Sequence, residues 1–143
     1  MAKLTKSILI DAAVDKIFAY MNDPYNLPEF WPSMVEVKDV KTLANGGASF
    51  KFVYKLAGIR LEAFSEDTEY ILNQRTVSKT SEGMEGWTTF VYETTGKGTK
   101  VTLEVEYKVP IPVIGRIAEA VIIKMNEQES DTLLANLKAR MEG

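Results

Sequence analysis

The sequence predicts an α+β fold in which a curved antiparallel sheet of seven strands wraps around one long C-terminal helix, with two short helices between the first and second strands. Residues 34–107 alternate between apolar and polar side chains and are interrupted by tight turns, and residues 3–10 alternate in the same way. Residues 112–141 form the one segment that is long and periodic enough for a long helix. Local hairpins make the sheet antiparallel, and its single apolar face needs a cover that only this helix is large enough to supply.

The first strand is predicted over residues 3–10, and Asp11 is expected to cap a short helix that follows it. Residues 22–32 contain three prolines, so they form a turn and at most one further short helix. The large apolar residues of this segment need a surface to pack on, and they are Tyr25, Leu27, Phe30 and Trp31.

Turn signals divide the next part of the chain into six strands. The predicted strands are 34–43, 48–57, 59–72, 75–81, 87–94 and 101–109. The strongest turn signal is Asn45-Gly46-Gly47, which predicts a hairpin. Alternation places the aromatic residues of strand 48–57 on one face, whereas in strand 87–94 it leaves open which way Trp87 faces.

The long helix carries two different patterns. Its second half is amphipathic, with one apolar face formed by Ser130, Leu133, Leu134, Leu137 and Met141. Its first half, residues 114–125, is apolar around most of its circumference, which predicts that it is covered on two sides, by the protein body and by a ligand, a loop or a partner. Charged residues interrupt this apolar run, and it is shorter than the ~20 residues of a membrane span.

The composition and charge of the chain indicate its protein class and limit its partners. The 143 residues are predicted to form a single domain, 1–143, and with 45% hydrophobic and 26% charged residues they have the composition of an ordinary soluble globular protein. A net charge of −3 without a basic run argues against nucleic acid as a partner. The N-terminus enters a strand pattern without the apolar core of a signal peptide, which predicts a cytoplasmic protein.

The sequence contains no Cys and no His. The usual serine and cysteine triads are therefore excluded, and the common zinc, copper and haem sites lose their ligands. No metal and no cofactor is expected. Any proton transfer has to use Asp, Glu, Lys or Tyr, which makes a binding protein the favoured interpretation and leaves an enzyme open.

Three stretches carry a resemblance to a known family. Val14-Asp-Lys-Ile-Phe18 runs into Asp23-Pro-Tyr-Asn-Leu-Pro-Glu-Phe-Trp-Pro32, Gly98-Thr-Lys-Val-Thr102 opens the last strand, and Leu134-Ala-Asn-Leu-Lys-Ala-Arg-Met-Glu142 lies at the end. With the element order of the whole chain, they resemble the START/Bet v 1-like (SRPBCC) helix-grip superfamily, and within it the polyketide-cyclase-like and coenzyme-Q-binding branch. That superfamily includes lipid carriers, hormone receptors, cyclases and hydrolases on one scaffold, so the resemblance implies a fold more than a function.

The resemblance implies a hydrophobic cavity between the long helix and the sheet, entered near the short helices. A strongly curved sheet around one helix also leaves space that the helix cannot fill, with an expected volume of ~300–1,000 Å³. The residues expected to contact a ligand are Tyr25, Leu27, Phe30, Trp31, Phe50, Phe52, Tyr54, Leu61, Ala63, Phe90, Tyr92, Val105, Tyr107, Ile114, Ile122, Ile123 and Asn126. The alternative for the strand aromatics is simple core filling.

Two further segments allow more than one interpretation. Phe30 and Trp31 form either a lid that seals the core or a gate for a ligand. Residues 110–115, Pro110 to Gly115, form either a rigid start to the helix or an apolar contact with a membrane surface or a twin subunit.

Polar candidates for catalysis are few, and spacing fixes no pair among them. They are Glu119, Tyr54, Tyr92 and Tyr107, with Glu119 and Asn126 solvated at the helix edge unless the fold buries them. Three function classes follow. The favoured one is binding or transport of a small hydrophobic molecule such as an isoprenoid quinone, a lipid or a polyketide; the others are a cyclase or dehydratase that uses Glu or Tyr, and a ligand-free module that forms a homodimer.

Overall fold

A computed structural model describes residues 2–56, 58–109 and 119–143, without the side chain of Glu119. The strands are β1 (Ala2–Ile10), β2 (Met34–Thr42), β3 (Ala48–Leu56), β4 (Ile59–Ile71), β5 (Arg75–Ser81), β6 (Glu85–Thr95) and β7 (Gly98–Lys108). The helices are α1 (Val14–Met21), a 3-10 turn (Pro24–Asn26), α2 (Leu27–Phe30) and α3 (Glu119–Glu142). The predicted element order is confirmed. The part of the predicted long helix before Glu119 lies outside the described residues.

The seven strands form one antiparallel sheet in the order β1-β7-β6-β5-β4-β3-β2. Each hairpin joins strands that follow each other in sequence, so six strands make a meander, and β1 is added beside β7. At that junction Gly98 has φ +137°, and a Cβ there would collide with the carbonyl oxygen of Ile10. The strand pairings confirm the predicted seven-stranded antiparallel sheet. The conformation and the close contact at position 98 require a glycine where the last strand meets the first.

The hairpin at Asn45-Gly46-Gly47 is confirmed. The amide of Leu43 donates to the carbonyl oxygen of Gly47 at 2.8 Å, and Gly46 has φ +94°, the left-handed conformation that such turns favour. Strand β6 begins at Glu85, two residues before the predicted start, so Gly86 lies inside the strand. A Cβ at Gly86 would lie 2.7 Å from the carbonyl oxygen of Glu106, so glycine here permits close packing of β6 against β7 rather than a turn.

Helix α1 begins without the predicted cap. Its N-cap residue is Ala13, and no side chain caps the helix. Asp11 instead donates its backbone amide to a carboxylate oxygen of Glu142 at 2.8 Å, which ties the end of β1 to the end of α3. Asp11 lies too early because residues 11–13 form a bend between the strand and the helix.

The second half of α3 packs as predicted. Its buried face consists of Ser130, Leu133, Leu134, Leu137 and Met141. For the first half, the sequence predicts cover by the protein body and by a ligand, a loop or a partner; in its described part, Val121 is 57% exposed and Met125 is 41% exposed, so this second cover stays a prediction. The sheet contacts only one side of this turn, and Ile122 occupies that side against Tyr107 and Val109. Among the described helices, none is long and apolar enough to cross a membrane.

Candidate functional site

A cavity of about 130 Å³ lies between the concave face of the sheet, the segment around α2 and the helix α3. It is smaller than the volume expected from the sequence, because aromatic rings from the sheet fill much of the concave face. An engineered cavity of about 150 Å³ in another protein holds benzene, so this space is suited to a single six-membered ring.

One side of the cavity is an aromatic wall, which we define as Phe50, Phe52 and Tyr54 of β3 with Phe90 and Tyr92 of β6. Alternate residues of a strand share a face, so each strand presents its rings to the same space. Neighbouring ring centroids along the wall are 5.7–6.5 Å apart, and all five residues are buried. Phe90 and Tyr92 face inward, while Trp87 faces outward, where Lys79 lies 5.4 Å from its ring centroid. The facing of β6 is thereby decided.

The segment around α2 contributes two of the four residues expected at the entrance. Leu27 and Trp31 line the cavity, and Trp31 contacts Phe90 edge-on with ring centroids 6.3 Å apart. Phe30 does not line it, because its side chain is buried and packs against Tyr20, with ring centroids 5.7 Å apart. Tyr25 lies on the surface and is 61% exposed.

The remaining candidates divide in the same way. Val105, Tyr107 and Asn126 line the cavity. Four other candidates do not line it. Leu61 and Ala63 pack into the core, Ile122 of α3 packs against Tyr107 and Val109, and Ile123 is 37% exposed. Ile114, the side chain of Glu119 and the segment 110–115 lie outside the described residues.

Sequence reasoning missed a polar surface on β4 and β5. The side chains that line this part of the cavity are Ser65, Asp67, Thr76, Ser78 and Thr80. Asp67 accepts a hydrogen bond from the Ser78 hydroxyl at 2.6 Å and another from the amide of Ala48 at 2.8 Å. Short Ser and Thr side chains in a strand look like a solvated face, and only the pairing of Ser65 with Phe50 of β3 shows that they face inward.

Two of the candidate tyrosines already have partners. Burial raises the pKa of Tyr54 to about 12, and its hydroxyl donates to the carbonyl oxygen of Gly83 at 3.3 Å. Burial also raises the pKa of Tyr92, whose hydroxyl donates to the sulfur of Met21 at 3.6 Å. Both hydroxyls therefore stay protonated at neutral pH and act as hydrogen-bond donors rather than as bases.

Tyr107 differs from both of them. Its hydroxyl is buried and has no hydrogen-bond partner among the described residues. Burial raises its pKa, and the nearby Asn126 amide partly offsets that rise without making a hydrogen bond to it. A buried hydroxyl without a partner loses its water contacts and gains nothing in return, so this atom has a donor to offer to an occupant of the cavity.

The polar groups of α3 at the cavity are mostly satisfied. Glu129 accepts a hydrogen bond from the amide of Ser33 at 3.0 Å, and the Ser130 hydroxyl donates to the carbonyl oxygen of Asn126 at 2.9 Å. Within the described residues, no group of three or more acidic side chains is placed to hold a metal ion. The arrangement supports hydrogen bonding and carboxylate chemistry.

The whole chain is similar in fold to several solved structures. TTHA0849 from Thermus thermophilus superposes with a TM-score of 0.78 at 21% identity, covering 98% of this chain and 97% of that one. A START superfamily protein from Mycobacterium smegmatis gives a TM-score of 0.74 at 16% identity, with 98% and 97% of the two chains covered. The Zhui aromatase/cyclase from a Streptomyces species gives 0.76 at 11% identity, with 99% and 93% covered.

These similarities confirm the helix-grip fold predicted from the sequence. No protein of curated function matches the sequence. Residues 1–142 match the family described as polyketide cyclase / dehydrase and lipid transport, and the chain therefore belongs to that family.

Proposed function

We propose that this protein, as one domain spanning residues 1–143, binds a small hydrophobic molecule in the cavity between the sheet and α3. The observation that carries the proposal is the aromatic wall, which leaves about 130 Å³ of space instead of closing on itself. Ligand sites are typically concave, mostly apolar and provided with a few polar groups, and this cavity has that composition. Among the ligands considered, the ring of an isoprenoid quinone or of a polyketide fits the space better than an acyl chain.

The family and the structural neighbours support a ligand of this kind. The family description names polyketide cyclases and lipid transport, and one neighbour is an aromatase/cyclase. Fold similarity at this level of identity does not transfer a reaction, so the ligand class is argued from the cavity itself.

A matched pair of variants tests binding. Thr88 lines the cavity on β6, whereas Thr102 lies on the opposite face of the sheet on β7. Thr88→Phe should fill the cavity and abolish retention of a small molecule, as measured by native mass spectrometry of the protein purified from its own host. Thr102→Phe should retain it, and a thermal melt of each variant checks that it is folded. Equal retention by both variants, or an empty wild-type protein that binds no aromatic probe, would contradict the proposal.

A second candidate is an enzyme of the cyclase or dehydratase type. The observation that favours it is the hydrogen-bonded pair Asp67–Ser78 at the cavity surface, which supplies a carboxylate to the same cavity that the tyrosines line. In that case Asp67 acts as the base and Tyr107 donates to the carbonyl oxygen of the substrate. Asp67→Asn should then abolish turnover of a polyketide-like carbonyl compound while its dissociation constant changes little. Unchanged turnover in this variant would exclude this acid/base assignment.

A further inference from the structure

Three hydroxyls and one glycine lie in one row across the sheet. Ser65 of β4 pairs with Thr80 of β5, Thr80 pairs with Gly86 of β6, and Gly86 pairs with Tyr107 of β7. Residues that are directly paired across strands point to the same face, and all four line the cavity. We name Ser65, Thr80 and Tyr107 the hydroxyl row.

The three residues of the hydroxyl row are buried, and the hydroxyl at the Tyr107 end has no hydrogen-bond partner among the described residues. Ser65 is 5% exposed, Thr80 is 8% exposed and Tyr107 is 3% exposed. The Tyr107 hydroxyl has no hydrogen-bond partner among the described residues, in contrast to the Ser78 hydroxyl, which donates to Asp67 at 2.6 Å. Nearly all buried polar side-chain groups in proteins have a partner, so the Tyr107 hydroxyl indicates that something else in the cavity supplies one.

Gly86 lies between Thr80 and Tyr107 and separates the two ends of the hydroxyl row. It carries no side chain, and a Cβ there would lie 2.7 Å from the carbonyl oxygen of Glu106, so the gap is fixed by the close approach of β7. Thr80 and Tyr107 flank it on β5 and β7, two strand spacings or about 10 Å apart at the backbone. A flat ring lying over Gly86 would therefore meet a hydroxyl at each end.

We infer that the cavity is a subsite for a six-membered ring bearing oxygen atoms on opposite carbons, with Thr80 and Ser65 bonding one oxygen and Tyr107 the other. Such a ring, extended at each end by a hydrogen bond of about 2.8 Å, spans about 11 Å between the two oxygen atoms that bond it. Thr80 and Tyr107 lie on strands on either side of Gly86, so their hydroxyls can approach the ring from opposite ends. Hydroxyls both donate and accept, so the row can bond a carbonyl oxygen or a phenol. The cavity volume of about 130 Å³ accommodates one ring. This inference rests on the proposed function and selects a ligand class within it.

The test compares four single-ring probes by ligand-observed NMR titration of the full chain under argon: benzene, phenol, resorcinol and hydroquinone. Hydroquinone should bind about fivefold more tightly than phenol and phenol about fivefold more tightly than benzene, as expected for one neutral hydrogen bond per step. Resorcinol, whose oxygen atoms are not opposite each other, should bind no better than phenol.

Variants assign the two ends. Thr80→Val and Tyr107→Phe should each weaken hydroquinone binding about fivefold and leave benzene binding unchanged. The matched control is Thr89→Val, because Thr89 is buried on β6 but pairs with Val77 and Glu104 on the other face. The thermal melt of Tyr107→Phe should not fall below that of the wild type, which shows that a lost affinity is not lost folding.

The outcomes separate this inference from the proposed function. Failure of all four probes, benzene included, would overturn both, since the cavity would then accept no ring. Binding of benzene, resorcinol and hydroquinone with equal affinity would overturn the subsite alone. The same holds if hydroquinone binds Thr80→Val and Tyr107→Phe as tightly as the wild type, because the row would then be satisfied only by water, for which the cavity has room for about four molecules.

Discussion

The aromatic wall and the hydroxyl row line the same cavity, and they differ in whether their contacts are complete. Rings of the wall contact one another at 5.7–6.5 Å, and Tyr54 and Tyr92 have partners for their hydroxyls. In the hydroxyl row, the Tyr107 hydroxyl has no partner among the described residues. The wall therefore stabilises the fold without an occupant, whereas the buried Tyr107 hydroxyl favours one. In our proposal, the wall holds the cavity open and the row selects its contents.

The largest expected effect concerns the wall. Phe52 is 5% exposed and contacts the rings on both sides of it, so Phe52→Ala should lower the free energy of unfolding by about 3 kcal/mol or more. Ser65→Ala, on the neighbouring strand, should change it by less than about 0.5 kcal/mol, because it leaves every ring of the wall in place. Urea denaturation measures both. Similar losses in the two variants would remove the distinction between wall and row.

A smaller effect is expected at alkaline pH. Burial raises the pKa of Tyr54 to about 12 from 10.0, so the folded state holds this proton more tightly than the unfolded state. The stabilisation is complete below pH ~10 and is lost as the pH rises toward ~12. At pH 11 the share of Tyr54 in this loss is about 1 kcal/mol. Tyr54→Phe should flatten the decline between pH 8 and pH 11 by that amount in urea denaturation, and a decline as steep as that of the wild type would contradict the assignment.

The smallest effect has opposite signs at the two positions. At neutral pH, Tyr54→Phe should lower the free energy of unfolding by about 0.5–1 kcal/mol, because the hydrogen bond to Gly83 is lost. Tyr107→Phe should raise it by up to about 1 kcal/mol, because an unpartnered buried hydroxyl is removed. Thermal and urea denaturation of the two variants make the comparison. A loss in Tyr107→Phe equal to that in Tyr54→Phe would show that its hydroxyl is satisfied in the folded protein.

The two halves of α3 show where sequence patterns suffice. Leu133, Leu134 and Leu137 recur at helical spacing, and that spacing alone predicts the buried face that the structure shows. Val121 and Met125 are as apolar, but they lie on a turn that the sheet touches from one side only, at Ile122. A pattern shows which residues would gain from burial. It does not show whether another element reaches them.

The candidate site shows the same difference between residues that a local pattern places and residues that only packing places. Phe50, Phe52 and Tyr54 could be assigned to the cavity because strict alternation fixes their common face. Phe30 and Trp31 are adjacent and equally apolar, and a single irregular turn sends one into the core and the other to the cavity. Such turns depend on packing against neighbouring elements, which local sequence does not encode.

By itself, the sequence determined the seven strands, their antiparallel order, the turn at Asn45-Gly46-Gly47 and the buried face of α3, because alternation, helical spacing and turn chemistry are local properties. Tertiary structure alone decided the size of the cavity and the identity of its polar side. Ser65 and Thr80 belong to strands that look solvated, and it is the register that aligns them with Gly86 and Tyr107 at the cavity. Register joins residues that are distant in the chain, and that is the physical reason why it cannot be deduced from any one segment.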